Sequence, residues 1–149
     1  MPFAIDKSLL HLLRRASQVV SESFNRELGD RDLTPRELIV LSVLEENPGA
    51  SQTAIVAATG IDRSTLADLV RRLVKRGLLT RKRTREDARA YAVRLTDEGR
   101  RVLLKSMPVM AGVDAAALAI IPTKQRSEFI AFLGKIVERG ERKDGSGGA

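Results

Sequence analysis

The stretch LVKRGLLTRKRTREDARAYAVRLTDEG, residues 73–99, contains the change of pattern that decides the fold. Up to Gly77 the apolar residues recur at helical spacing, and a glycine at that point is typical of a helix end. Beyond it the apolar residues alternate with polar or small ones, as in strands. We therefore predict a helix that ends at Gly77, strands at 78–83 and 90–95, and a polar hairpin tip at 84–88.

Capping residues define the helices on the N-terminal side of this stretch. The helix that ends at Gly77 begins after Asp62, a side chain that suits an N-cap. Before it, Thr34 with Glu37 three residues later predicts a capping box, and the helix that this box starts stops before an Asn-Pro-Gly turn. The predicted helices on this side span about 5–24, 35–46, 52–58 and 62–76.

Two more helices are predicted on the C-terminal side. Thr96-Asp97-Glu98 starts a helix with acidic residues favourably placed at its N-terminus, and this helix runs toward Ile120 with a bend expected at Pro108. A last helix covers about 123–138. The polar, glycine-rich tail at 141–149 is expected to be disordered.

The composition excludes several classes of function. The chain has 149 residues, the length of one domain, and no cysteine, which excludes disulfides, thiolate metal sites and thiol redox switches. A single histidine argues against a histidine-based metal site. Four phenylalanines, one tyrosine and no tryptophan argue against stacking platforms for single-stranded nucleic acid. We predict no metal, no cofactor and no enzymatic activity, because no nucleophile, base and orienting residue form a recognisable motif.

No segment has the pattern of a targeting signal or a membrane span. The first twenty residues mix charged and apolar side chains in an amphipathic pattern, unlike the apolar core of a signal peptide. No run of 18 apolar residues occurs. We therefore expect a soluble cytoplasmic protein with no membrane partner.

Basic residues are concentrated in one segment of the chain. The whole chain carries a net charge of +7, whereas residues 62–106 hold 14 basic and 6 acidic residues, a net of +8. Residues 71–85 contain eight basic residues and no acidic one. A run of this kind is either a solvated face or a surface for a polyanion. Its position across a helix end and a strand pair favours the polyanion.

Two short helices joined by Thr59-Gly60-Ile61-Asp62 form a candidate helix-turn-helix. In that motif the second helix lies in the major groove with its N-terminal residues at base edges. Guanidinium, hydroxyl and carboxylate groups, all of which can hydrogen-bond to bases, lie on the outward face of this helix. The candidate residues on this face are Arg63, Ser64, Thr65, Ala67, Asp68, Arg71, Arg72 and Lys75. The strand pair that follows is what a wing requires, and arginine is favoured in a narrow minor groove.

Asp87 and Arg89 form an Asp-x-Arg pair at the hairpin tip, and they precede Leu95-Thr96 and Gly99 by a fixed short distance. In this pair and its spacing, and in the stretches 62–66 and 73–81, the sequence resembles the MarR (multiple-antibiotic-resistance regulator) family of bacterial transcription factors. The resemblance covers roughly residues 5–138, and the Asp-x-Arg pair matches the wing signature of the family. The resemblance implies a mostly α (α+β) fold, a winged helix-turn-helix with long N- and C-terminal dimerisation helices.

The resemblance also implies roles for individual residues. Arg89 would reach the minor groove, oriented by a charge-assisted hydrogen bond that it donates to Asp87, unless the pair merely stiffens the hairpin. The basic wing residues that would lie along phosphates are Arg81, Lys82, Arg83 and Arg85. The terminal helices would interlock in a twofold homodimer, or else form an ordinary monomer core. In the dimer, two recognition helices would meet the half-sites of a palindromic operator on double-stranded DNA.

One turn of the predicted recognition helix departs from the family's pattern. Members often have a small hydroxyl residue and a basic residue where this chain has Ala67 and Asp68, and an acidic residue where it has Arg71. Asp68 could pair with Arg71 or Arg72 on the helix surface, or it could change which bases are read. The operator sequence therefore cannot be taken from relatives.

Proteins of this family often release DNA when a small anionic or phenolic ligand binds between the dimerisation and DNA-binding regions. On the first helix, His11 together with Arg14 or Arg15 could hold a carboxylate, and methionine is an adaptable lining residue. The candidate lining residues are His11, Arg14, Arg15, Ser17, Gln18, Met107 and Met110. The alternative is that the arginines are solvated and the methionines belong to the core.

Together these patterns predict a dimeric, sequence-specific DNA-binding regulator, a repressor released by a small-molecule effector. The predicted division is an N-terminal dimerisation helix at 1–34, the winged helix-turn-helix at 35–96, C-terminal dimerisation helices at 97–140, and the tail at 141–149. One alternative is a winged-helix protein-interaction module without DNA binding. Another is a protein that binds double-stranded RNA by its shape.

Overall fold

A computed structural model of the chain describes residues 4–28, 33–85 and 90–145. The chain divides into two compact units, residues 1–113 and 114–149. The described elements are, in chain order, a 3₁₀ turn (Ile5–Lys7), α1 (Leu9–Leu28), α2 (Pro35–Glu46), β1 (Ala50–Ser51), α3 (Gln52–Thr59), α4 (Arg63–Lys75), β2 (Leu79–Arg83), β3 (Tyr91–Leu95), α5 (Asp97–Leu118) and α6 (Thr123–Gly145).

The core of the first unit is made of apolar side chains, nearly all of them aliphatic, from five helices and the sheet. The face of α4 predicted to be apolar is buried, and it belongs to one core cluster with side chains of α2, α3 and the two longer strands. Removing a leucine or valine side chain from water stabilises a fold by about 1.5–3 kcal/mol, so this cluster fixes how α4 lies in the unit. The core residues are Phe24, Leu28, Leu33, Leu38, Val40, Leu41, Leu44, Ile55, Leu66, Leu69, Val70, Leu73, Leu78, Leu79, Val93, Val102, Leu103 and Val113.

The predicted helix caps are confirmed. At the start of α2, the backbone N–H of Glu37 donates to Thr34 Oγ1 at 3.2 Å, and the N–H of Thr34 donates to Glu37 Oε2 at 3.0 Å. Asp62 caps α4. At the other end of α4, Gly77 has φ of +76°, and the N–H groups of Gly77 and Leu78 donate to the carbonyls of Val74 and Leu73. This is a Schellman motif, which satisfies the carbonyl groups left open at a helix end.

The sheet has three antiparallel strands in the order β1-β3-β2, one more than the sequence predicted. The predicted hairpin is present as β2 and β3, with Arg83 opposite Tyr91 and Leu79 opposite Leu95. The additional strand β1 has only two residues, which pair with Val93 and Ala92. A two-residue strand is too short to show an alternating pattern, so it could not be predicted from the sequence.

The start of α5 is held against the end of α4. Thr96 Oγ1 donates to the carbonyl of Gly77 at 2.6 Å, and the backbone N–H of Thr96 donates to the carbonyl of Leu78 at 3.1 Å. Thr96 Oγ1 also accepts from the N–H of Gly99 at 2.9 Å. Because Gly99 is buried directly against the Leu78 carbonyl oxygen, a Cβ at position 99 would overlap that oxygen. Pro108 lies inside α5, which continues to Leu118.

The last helix is longer than predicted. In the second unit, α6 runs from Thr123 to Gly145, so residues 141–145, which we expected to be disordered, are helical. Arg142 and Glu138, one helical turn apart, have their charged atoms 3.7 Å apart, a spacing that supports a helix. Residues 146–149 lie outside the described part of the chain.

Both terminal helices expose apolar side chains. On α1, Leu9, Leu10 and Leu12 near the N-terminus are exposed, whereas Phe24 and Leu28 near its end are buried. On α6 no described side chain is buried, although its apolar residues recur at spacings of three and four. The exposed apolar residues on these two helices are Leu9, Leu10, Leu12, Val19, Phe129, Ile130, Phe132, Ile136 and Val137.

Within the described residues, no single helix is both long and apolar enough to cross a membrane. The helices α5 and α6 pass that length and composition test only as a pair interrupted by a break.

Replacing Gly99 with alanine tests the close contact at the start of α5. We expect G99A to lower the free energy of unfolding by about 3 kcal/mol, because the Leu78 carbonyl that the new Cβ meets is fixed by Thr96. The matched control is G112A on the same helix, where an added Cβ meets open space and alanine favours the helix by about 1 kcal/mol. Urea unfolding at one fixed protein concentration measures both changes. Equal stabilities for G99A and G112A would contradict this assignment.

Candidate nucleic-acid interface

The outward face of α4 carries most of the residues predicted to contact DNA. The side chains of Arg63, Ser64, Asp68, Arg71, Arg72 and Lys75 are exposed, and Thr65 and Ala67 are half-buried. The opposite face of the helix is packed into the core. The structure therefore brings these predicted residues together on one exposed helical surface.

Asp62 organises the first turn of this helix. One carboxylate oxygen, Oδ1, accepts from the backbone N–H of Thr65 at 2.9 Å and from Ser64 Oγ at 3.0 Å. The other, Oδ2, accepts from Thr65 Oγ1 at 2.6 Å. The hydrogen bonds from the side chain and backbone of Thr65 and from the side chain of Ser64 lower the pKa of Asp62 to about 2. Asp62 is therefore ionised at neutral pH.

Asp68 and Arg71, whose charges depart from the family's usual order, form an ion pair on the surface of α4. Arg71 Nη2 lies 2.9 Å from Asp68 Oδ1. Arg71 is one of the two arginines that the sequence allowed as a partner of Asp68. Both side chains are about two-thirds exposed, at 66% and 65%. Exposed pairs of this kind contribute about 0–1 kcal/mol, so the pair leaves both groups available to other partners.

The hairpin arranges two arginines around one tyrosine. Arg81, Arg83 and Tyr91 share one face of the β2–β3 pair, because Arg83 lies opposite Tyr91 and Arg81 is two residues before Arg83. The guanidinium carbons lie 4.8 Å (Arg81) and 5.8 Å (Arg83) from the ring centre of Tyr91. Arg83 Nε also donates to Tyr91 Oη at 3.3 Å. This hydrogen bond and the positive charges of Arg83 and Arg81 lower the pKa of Tyr91.

The tip of the hairpin is only partly described. The N–H of Thr84 donates to the carbonyl of Ala90 at 3.0 Å, so the strand pairing continues up to these two residues. Arg85 is exposed. Asp87 and Arg89, the pair that carries the wing signature, lie outside the described residues, and their roles remain predictions.

Two contacts at this interface were not predicted from the sequence. One is the placement of Arg81 and Arg83 around Tyr91. The sequence indicated only that Tyr91 lies in a strand, two residues before Val93. The other joins the C-terminal end of α4 to α2, where Arg76 Nη1 lies 3.3 Å from Glu37 Oε2. The Glu37 side chain is only 7% exposed, and its carboxylate also completes the α2 capping box.

The predicted effector residues are found in different environments. His11 is half-buried, and Met110 packs against the core, while Met107 is 41% exposed. Arg14 and Arg15 are both exposed, and Arg15 Nη1 donates to Gln18 Oε1 at 2.7 Å. These residues remain a predicted ligand site. Within the described part of the chain, no three histidine, cysteine, aspartate or glutamate side chains could hold a metal ion.

A groove of about 400 Å³ in the first unit lies beside the helix-turn-helix. It is bordered by α1, the start of α2 and the turn that leads into α4. Its lining residues are Ser17, Ser21, Pro35, Arg36, Ile39, Thr59, Gly60, Ile61 and Asp62. None of these belongs to the predicted effector set except Ser17.

A helix-turn-helix with an exposed, hydrogen-bonding second helix, followed at once by a basic strand pair, defines the winged-helix class of transcriptional regulators. The chain belongs to the MarR family. A sequence model of the MarR family matches residues 31–90. The transcriptional regulator HosA of Escherichia coli is 29% identical over 134 residues, which cover 90% of this chain and 98% of HosA.

Solved structures of regulators have the same fold. BpsR of Bordetella bronchiseptica has a TM-score of 0.85 with 28% identity, covering 91% of this chain and 97% of BpsR. PcaV of Streptomyces coelicolor, solved with its natural ligand, has a TM-score of 0.83 with 30% identity, covering 93% and 97% of the two chains. The transcriptional repressor CouR, bound to a 23-mer DNA duplex, has a TM-score of 0.80 with 28% identity, covering 91% and 99%. The family and these relatives are transcriptional regulators, a class distinct from enzymes.

Replacing Tyr91 tests whether its ring orients the two arginines for DNA. We expect Y91A to weaken DNA binding about two- to fivefold, since exposed cation–π contacts contribute about 0.5–1 kcal/mol. The matched variant Y91F keeps the ring and loses only the bond to Arg83, so we expect a loss of less than about twofold. Fluorescence anisotropy on one DNA duplex measures both, after circular dichroism has verified the fold. Wild-type affinity in Y91A would rule out this role.

Proposed function

We propose that this chain is a homodimeric, sequence-specific regulator that represses transcription from a palindromic operator on double-stranded DNA. A small anionic or phenolic ligand releases it from that operator. The observation that carries this proposal is the pairing, in one compact unit, of the exposed outer face of α4 with the exposed arginines grouped around Tyr91. Such a surface supplies both groups for base edges and positive charge for phosphates.

Three relatives support the DNA-binding and ligand-binding parts of the proposal. CouR is a transcriptional repressor bound to DNA, and the DNA binding of BpsR is regulated by 6-hydroxynicotinic acid. PcaV binds a natural ligand of its own. We extend to this chain the same general behaviour, in which one small molecule controls the affinity for DNA.

The exposed apolar side chains of the terminal helices support the homodimer. On α6, Phe129, Phe132 and Ile136 recur at spacings that place them on one helical face, although they are 41–53% exposed. Burying them against a second copy would stabilise the dimer by about 25 cal/mol for each Å² of apolar surface removed from water. A twofold dimer would present two α4 helices to half-sites about one turn of DNA apart.

The DNA-binding part is tested by selecting a target from random duplexes with the full-length protein and measuring affinity by fluorescence anisotropy. At about 0.15 M salt we expect the selected duplex to bind at least about a thousandfold more tightly than a shuffled one. In the variant R81A/R83A, the slope of log affinity against log salt should fall by about one for each lost phosphate contact. R89A should weaken binding to the selected duplex while leaving the dimer intact.

A charge-matched control separates contact from net charge. The variant K105A/K124A also removes two positive charges, but from exposed positions on α5 and α6, so we expect the salt slope of the wild type. If both double variants change the slope equally, the wing arginines have no specific role. If no duplex DNA is bound, the protein-interaction module becomes the better description.

The effector part is tested by adding hydroxylated aromatic carboxylic acids, beginning with 6-hydroxynicotinic acid, to the protein on its selected duplex. We expect at least one of them to release the DNA at micromolar to millimolar concentration. The variant R14A/R15A should then need more ligand, because it removes the proposed partners of the carboxylate. R36A, in the groove beside the helix-turn-helix, serves as the comparison. Release that depends on Arg36 and not on Arg14 or Arg15 would move the ligand site to that groove.

A further inference from the structure

The first turn of α4 contains two hydroxyl groups that donate hydrogen bonds to the same carboxylate group. Ser64 Oγ and Thr65 Oγ1 lie 3.0 Å and 2.6 Å from the two carboxylate oxygens of Asp62. Ser64 is exposed and Thr65 is half-buried, so both hydroxyls lie at or near the surface that would face DNA. These are the same hydroxyls that the sequence singled out as base-reading groups.

The ionised carboxylate determines which way these hydroxyl groups point. A carboxylate can only accept hydrogen bonds, and a hydroxyl has a single hydrogen with which to donate. Each hydroxyl therefore uses its hydrogen on Asp62. What remains on Ser64 Oγ and Thr65 Oγ1 is lone pairs, which can only accept.

We propose that Asp62 is a specificity-determining residue that makes Ser64 and Thr65 hydrogen-bond acceptors toward DNA, so that they favour the exocyclic amino groups of cytosine and adenine. In the major groove these amino groups, N4 of cytosine and N6 of adenine, are the donors, whereas N7, O6 and O4 are acceptors. Without Asp62, a serine or threonine hydroxyl could pair with either kind of group. This inference rests on the proposed function, because it requires that α4 reads bases.

A merely structural role for Asp62 makes a different prediction. As an N-cap alone, Asp62 would stabilise α4 and leave the choice of base unaffected. Asparagine is as good an N-cap as aspartate, so D62N should retain the helix. Its amide group, however, can donate to one of the hydroxyls, whose own hydrogen then becomes free to donate to a base acceptor.

The test uses duplexes of the selected sequence in which one base at a time lacks one group. Cytosine is replaced by 2-pyrimidinone and adenine by purine, which removes the amino group, or a purine is replaced by its 7-deaza form, which removes N7. Anisotropy gives the affinity of the wild type, S64A/T65A and D62N for each duplex. Circular dichroism and thermal unfolding verify that all three proteins are folded.

At the base pairs whose recognition depends on Ser64 and Thr65, we expect binding affinity to depend on an amino group of a base. Removing that group should weaken wild-type binding about two- to tenfold, the effect of one hydrogen bond, and removing N7 at the same positions should have no effect. Both substitutions should be neutral in S64A/T65A. In D62N, base preference at these positions should broaden, and removing N7 there should now weaken binding.

Three results would overturn the inference while leaving the proposed function standing. The wild type could be sensitive to loss of N7 and insensitive to loss of the amino group at these positions. D62N could keep the wild-type pattern, which would leave Asp62 as a cap only. S64A/T65A could discriminate bases as the wild type does, in which case the hydroxyls read nothing. Failure to select any sequence from random DNA would contradict the proposed function itself, and the inference with it.

Discussion

Two backbone carbonyl groups, those of Gly77 and Leu78, join α4, the β2–β3 hairpin and the first turn of α5. Both accept hydrogen bonds from Thr96, one from its hydroxyl and one from its backbone N–H. The N–H groups of Gly77 and Leu78 close the end of α4 at the same place. Gly99 completes the joint, because only a residue without a side chain fits against the Leu78 carbonyl. The positive φ of Gly77 allows the sharp turn that brings these groups together.

This joint explains why the interface can be strongly charged and still well defined. The orientation of α4 relative to the wing is set by backbone hydrogen bonds and by the buried leucines, not by surface ion pairs. In addition, the contact between Arg76 and the largely buried Glu37 links the end of α4 to the start of α2. Exposed charges such as Asp68 and Arg71 therefore contribute little to the fold and remain accessible to other partners.

The sequence predicted those parts of the structure that depend on neighbours along the chain. The capping box at Thr34, the cap at Asp62 and the helix end at Gly77 each involve residues within a few positions, and all three are confirmed. The buried face of α4 is confirmed as well, because helical spacing alone defines it.

Features that depend on contacts across the fold were not predicted. The pairing of β1 with β3 joins residues about forty positions apart. The grouping of Arg81 and Arg83 around Tyr91 depends on the exact strand register, which the hairpin pattern left open by a residue or two. The extension of α6 to Gly145 was also missed, since the glycine-rich composition of the tail outweighed the helix-forming charged residues before it.

In the proposed dimer, two copies of α4, each with its wing, bind a symmetric DNA site. Hydroxyl-radical footprinting of the full-length protein on its selected duplex reveals directly whether they do. We expect two protected segments related by twofold symmetry, with their centres about one helical turn apart and with minor-groove protection by the wings on the outer sides. A single protected segment, or protection that is the same on a shuffled duplex, would contradict it.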